Sequence, residues 1–251
     1  MKYFVKPDSI VRQIWGRADT TLFIFAGSAA EFALNKAVDW LYFTGKLPAD
    51  PLGRLFSTVT YARQIIFAEE DAALQSIDKI TAIHKGVEQN RGAQIPDWAY
   101  RDVLFMLIDY SIRSFELLDR KLTYAEKAEV FDVFHRVGLR MQLTGLPANF
   151  KVWKLMREEH LLRDLAYSTY TYHLYQQYKK HLGSLRYMLL IKVQALLVPA
   201  RVNDLLGFGK PIWIIPILNI YQFLRRLRVE AFLRNILLPA EYKVQIMRLD
   251  V

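Results

Sequence analysis

Apolar residues recur at spacings of three and four along nearly the whole chain, and most such stretches are fenced by residues that start or stop helices. A stripe with a 3.6-residue period must be a helix that buries one face, so this pattern leaves little choice of fold. Asp19 can cap a helix through TTLFIFAGSAAEFALNKAVDWLYF that ends near Gly45. Asp50 followed by Pro51 joins a cap to a first-turn residue ahead of GRLFSTVTYARQIIF. AEEDAALQSIDKITAIHKGVEQN follows, with Gly92 and Pro96 as punctuation. Asp97 can cap the next helix, and Thr123 with Glu126 makes a capping box for one that stops before Gly145 and Pro147. Later helices are expected over residues 150–183, 184–198 and 212–237. No alternating run with turn chemistry reads as a strand, and no repeat or long linker divides the chain. The expectation is an all-α, bundle-like single domain over residues 1–251, with its core in 18–165 and basic, apolar helices in 176–251.

The apolar fraction of 53% is ample for a sizeable core in 251 residues. Cysteine is absent, which excludes disulfides, thiolate-held zinc, iron–sulfur clusters and thioether-attached haem. The net charge of +9 sits almost wholly in residues 176–251, which carry 12 Lys and Arg against 4 Asp and Glu; the first 175 residues carry 22 against 21. No apolar run reaches 18 residues, and no charged segment followed by an apolar one opens the chain. The expected location is the cytoplasm, in solution or on a membrane surface.

At 100° per residue, Ala73, Ile77, Ile80, His84 and Val87 share one stripe, so His84 points inward. An inward imidazole needs a partner for each ring nitrogen: a backbone carbonyl, a carboxylate or a metal. Among metals, a di-iron bundle requires Glu three residues before its histidines; the five here are preceded at that spacing by Thr81, Asp132, Arg157, Tyr170 and Tyr178. A zinc-protease His-Glu-x-x-His, a glycine-rich phosphate loop and a Gly-x-Ser-x-Gly elbow are also missing. A haem held by one histidine is the metal chemistry that survives; a core imidazole satisfied by protein groups is the alternative. One helix upstream, Arg54, Thr58, Tyr61 and Ile65 form a second inward stripe. An inward guanidinium calls for an anion, which a haem propionate could supply, as could Asp50 or Glu69.

The order Asp-Pro-x-x-Arg-Leu-x-x-Thr from Asp50, then His84-x-x-Val87, then a capped helix and GLRMQLTGLPANFKVWKLMREEHL, resembles the latex-clearing proteins (rubber oxygenases) and MpaB-type oxygenases over residues 18–165. The resemblance implies a b-type haem inside a helical core, with His84 as iron ligand and the Arg54 and Thr58 pair close to the haem. It also implies an oxygenase that joins dioxygen to an apolar unsaturated substrate, a polyisoprenoid, terpenoid or lipid. Ser57 stands where rubber oxygenases carry Lys, and ALNKAVDWLYF replaces a Gln-x-x-His-Pro-like segment; these departures bear on the substrate. Tyr61 is a candidate for the haem pocket or for proton handling there.

The remaining histidines read differently. His135 shares a face with Phe131 and Leu139 and reads as core or boundary, whereas His160, His173 and His181 read as surface. Tyrosines 167, 170, 172, 175 and 178 follow helical spacing, which favours a packed stripe over nucleic-acid binding. PIWIIPILNIYQFLRRLRVEAFLRNILL, with Arg225, Arg226, Arg228 and Arg234, reads equally as an amphipathic segment on an anionic membrane or as bundle core closed by Trp213, Ile217, Phe223 and Leu224. Rivals to an oxygenase are a non-catalytic haem or lipid carrier and a helical interaction protein.

Overall fold

The computed structural model describes residues 2–45, 49–209 and 215–226. Its described residues form eleven α-helices: α1 Ile10–Trp15, α2 Ala18–Phe32, α3 Val38–Phe43, α4 Pro51–Phe67, α5 Glu70–Arg91, α6 Asp97–Leu118, α7 Tyr124–Arg140, α8 Phe150–Arg163, α9 Thr169–Leu197, α10 Ala200–Leu206 and α11 Ile215–Arg226. No strand occurs among them; Tyr3 pairs with Glu69, and Asn35 with Leu165, as isolated bridges. The all-α expectation holds.

The centre is the antiparallel pair α2 and α6. Asn35, just past α2, meets Asp102, and Glu31 meets Tyr110 one to two turns along. Gly27 permits the closest approach, since a Cβ there would lie 2.3 Å from the Tyr110 ring. With only hydrogen at that position, the tyrosine lies flat against α2 and reaches Glu31. Around this pair, Ile14, Trp15, Ile24, Ile66, Ile77, Met106 and Ile108 are fully buried. A second apolar cluster joins Ala33 and Val38 to Leu174, Tyr175 and Tyr178 of α9.

Several caps agree with the sequence. The Asp50 carboxylate accepts from Gly53 N–H at 2.8 Å, with Pro51 in the first turn. Thr123 and Glu126 close their capping box. The division expected near residue 183 is present: Gly183 (φ 71°, ψ 170°) is non-helical and joins two helical segments of α9 across a kink, whereas the single helix expected over 150–183 is broken between Arg163 and Thr169.

Other boundaries move. Asp19 is not a cap: Arg17 occupies that position, and Asp19 lies in the first turn. Pro96, not Asp97, precedes α6. The helix expected up to Gly45 breaks after Phe32, because the backbone there finds other partners. Lys36 N–H donates to the Asp164 carbonyl, Ala166 N–H donates to that of Leu34, and Asn35 Oδ1 accepts from Ala37 N–H. A partner distant in sequence therefore cuts a helix whose local pattern runs on.

Arg225 is a correction to the membrane reading of the C-terminal third. It is buried, its Nε 2.7 Å from Asp19 and its Nη1 3.2 Å from Asp119, while Nη1 and Nη2 donate to the Leu118 carbonyl and the Thr20 hydroxyl. It clamps α11 across the ends of α2 and α6, so it is unavailable to a lipid headgroup. Trp213, Arg228, Arg234 and the side chains of Ile217, Phe223, Leu224 and Arg226 lie outside the described residues. No described helix is long and apolar enough to cross a membrane.

Candidate functional site

The His84 stripe is sealed at one end and open at the other. Ala73 and Ile77 are fully buried, whereas Ile80, His84 and Val87 are half-buried where α5 emerges from the core. The His84 ring stands edge-on to Tyr100, centroids 5.2 Å apart at 83°. Tyr100 is itself held, its hydroxyl donating to Glu88 Oε1 at 3.1 Å; burial first, and then that carboxylate, raise its pKa above the ordinary phenol value.

Arg91, seven residues beyond His84, continues the stripe and was missed in reading the sequence. Its Nη2 donates to Asp39 at 2.6 Å, and its guanidinium stacks 4.0 Å over the Trp40 ring, so it ties the end of α5 to α3. Its Nη1 is buried without an acceptor. A half-buried cation with one buried, unused N–H is suited to an anionic group.

The hairpin of α4 and α5 turns at Ala68 and Glu69, and the two helices pack together. Arg54 and His84 each lie about 15 residues from that turn, hence at one height, about 20 Å along the pair. Thr58 is one turn lower and half-buried. Tyr61 is also half-buried, but about 10 Å along the axis from the Arg54 level. The side chain of Arg54 lies outside the described residues.

A second polar centre contradicts the sequence reading outright: His160 is not a surface residue. It is 2% exposed, with Nε2 2.9 Å from Glu31 and Nδ1 2.7 Å from Asp102. Arg157, one turn earlier on α8, makes a bidentate pair with Glu31 at 2.5 and 2.6 Å and reaches Asp109 at 2.9 Å. Tyr110 donates to Glu31 as well, at 2.8 Å. Burial alone would raise the Glu31 pKa, but Arg157 and then His160 overturn it and bring it to about 2. Burial likewise opposes a charged His160, yet Asp102 and Glu31 lift its pKa to about 9. Asp102 moves up, since burial outweighs its bonds to His160 and Asn35.

Asp102, His160 and Asp164 bring ligand atoms within 4.8 Å of one another, a spacing a metal ion could use. The electrostatics run against that use. Both His160 ring nitrogens already lie against carboxylates, those of Glu31 and Asp102, and Arg157 already supplies positive charge to the cluster. The arrangement is a buried ion-pair staple between α2, α6 and α8.

The other histidines are engaged elsewhere. His173 shares one ring nitrogen with the Tyr42 hydroxyl and the other with Gln177. His181 is exposed. His135 stacks on Phe131 beside a crevice of about 10 Å³ that Leu104, Leu146 and Pro147 also line, room for a water at most and far below the roughly 300–1,000 Å³ of ordinary ligand pockets.

A family profile described as "ER-bound oxygenase mpaB/B'/Rubber oxygenase, catalytic domain" matches residues 12–226. The chain belongs to this oxygenase family. The match reaches well beyond the 18–165 expected from motifs and takes in α11 with its Arg225 clamp. Searches of curated proteins and of solved structures returned no match. An oxygenase catalytic domain takes dioxygen and an organic substrate as partners, so the site has to hold both.

Proposed function

We propose that this member of the mpaB/rubber oxygenase family is a haem b-dependent oxygenase acting on an apolar unsaturated substrate, isoprenoid or lipid-like. The observation that carries the reading is the His84 face: an imidazole on a half-open apolar stripe, level with Arg54 and ending at the half-buried Arg91, whose Nη1 is buried without an acceptor. Of the five histidines, His160 has both ring nitrogens engaged by Glu31 and Asp102, and His173 has both engaged by Tyr42 and Gln177. The residues present fit the group: His84 would hold the iron, and Arg54 and Arg91 would take the propionates. Thr58 would line the haem edge, and Tyr61 would lie at the margin of the pocket.

When bound, haem supplies the redox-active iron that dioxygen chemistry requires. The chain's own residues supply the setting. Tyr100, fixed by Glu88, limits rotation of the His84 ring, and the Arg91 contacts with Asp39 and Trp40 hold α3 against the end of the same stripe. Ile80 and Val87 offer apolar surface on either side of the imidazole. No charged side chain separates them on that stripe, which suits a substrate without ionic groups.

The test is a visible spectrum of protein expressed with ample haem. Wild type is expected to show a Soret band, and His84→Ala to lose or shift it while keeping its helical circular dichroism. A colourless wild type overturns the reading.

A further inference from the structure

The kinked helix α9 breaks the usual rule for a surface helix beyond Gly183. At 100° per residue, Leu185, Met188, Leu189, Lys192 and Leu196 form one stripe, and that stripe faces outward. Leu185 is 67% and Met188 50% exposed, and the other three are half-buried. The opposite stripe is inward although it carries a glutamine. Gln194 is fully buried, donating to the Ala26 carbonyl and accepting from the Tyr175 hydroxyl, and Leu197 beside it is buried too. Tyr187, Leu190 and Ile191 pack on the second apolar cluster. A glutamine is inside while Leu185 and Met188 are outside, which in water is costly unless something covers them.

Charge identifies the cover. From residue 165 to 203 the chain has no Asp or Glu, while Lys179, Lys180, Arg186, Lys192 and Arg201 lie in that span. Lys179, Lys180 and Arg201 are exposed on either side of the apolar stripe, and Lys192 sits within it, where its long stem can carry the ammonium to the edge. A second copy of this face would bring like charges together, and an acidic protein groove would have to be apolar at its centre. The stripe covers about 18 Å of helix, too short to span a bilayer and suited to lying along one.

We propose that the segment after the kink, residues 184–197, is a membrane-docking face that rests in the headgroup layer of an anionic bilayer, with Lys179, Lys180 and Arg201 on lipid phosphates. It is separate from the C-terminal stretch considered in the sequence, whose Arg225 is turned inward. It does not depend on haem.

Because the chain has no cysteine, single labels can be placed at will. Leu185→Cys and, as a control on α7, Ala125→Cys would each carry an environment-sensitive fluorophore and meet vesicles of phosphatidylcholine alone or mixed with phosphatidylglycerol. The 185 label is expected to shift to the blue and be quenched by nitroxide lipids on the mixed vesicles only, with the 125 label unchanged. In flotation of unlabelled protein, Leu185→Gln/Met188→Gln and Lys179→Glu/Lys180→Glu should each weaken binding at least about tenfold, with unchanged circular dichroism. Absence of binding to mixed vesicles, or binding indifferent to both pairs of substitutions, overturns the proposal. So does light scattering that shows a dimer which Leu185→Gln/Met188→Gln dissolves. A protein without haem that still binds vesicles would defeat the haem reading and leave this one standing.

Discussion

Replacing Arg157 with methionine tests whether the buried ion pairs behave as their geometry requires. Glu31 is wholly buried, and Arg157 holds it bidentately. The drop of its pKa from 4.5 to about 2 corresponds to roughly 3 kcal/mol of preference for the charged form in the folded protein. Removing the guanidinium strands that carboxylate and weakens Asp109, for which about 3 to 5 kcal/mol is the ordinary cost. The sign with pH separates this from a mere packing loss. In the wild type, a depressed Glu31 contributes stability that is present above pH 4.5 and is lost as pH falls through 2. In the variant, burial dominates and raises Glu31, so the folded state is penalised as pH rises above its unfolded value. The deficit of Arg157→Met, measured by urea denaturation, should therefore be smallest near pH 3 and grow towards pH 7. A loss under about 1 kcal/mol, or one that does not change with pH, would refute the electrostatic account and leave only the cavity.

His160 implies an alkaline limb: its pKa, raised from 6.5 to about 9, contributes stability that is fully present below pH 6.5 and lost as pH rises through 9, roughly 3 kcal/mol in all, which a urea series on wild type and His160→Gln would resolve. Gly27→Ala should cost about 1 to 3 kcal/mol, because its Cβ would sit 2.3 Å from Tyr110, and the melting temperature should fall accordingly. Arg54→Ala and Arg91→Ala should each speed haem loss about tenfold or more in transfer to apomyoglobin, since each removes a charge-assisted hydrogen bond to a propionate; equal off-rates would remove that role.

The places where sequence and structure part company share one physical origin. In α8, Phe150, Trp153, Arg157, His160 and Asp164 form a single stripe at helical spacing, and all five are buried. The stripe starts aromatic and ends charged, so a reading by residue class assigns its second half to solvent, while a reading by position alone would have kept it inside. Leu162, one of the most apolar residues of that helix, is 70% exposed. Glu31 gave the complementary signal, a lone carboxylate among Ala29, Ala30, Phe32 and Ala33. Local features were legible because they need no distant partner: the Thr123 and Glu126 box, the Asp50 cap and the Gly183 kink all follow from neighbours within four residues. The break after Phe32 and the inward turn of Arg225 depend on Asp164 and on Asp19, far away in sequence.

Buried ion pairs of this kind contribute register more than stability. Arg157 must meet Glu31 and Asp109 together, and His160 must meet Glu31 and Asp102. A slip of α8 by one residue turns both side chains through 100° and strands three carboxylates, so one alignment of α2, α6 and α8 is strongly preferred. That alignment extends to the candidate site. Asp102, pinned by Asn35 and His160, lies two residues from Tyr100 in the first turns of α6. Tyr100 in turn presents its ring to His84. The charge network therefore sets, through one rigid helix, where the aromatic edge meets the imidazole. The buried network thus bears, through Tyr100, on the orientation of the His84 ring.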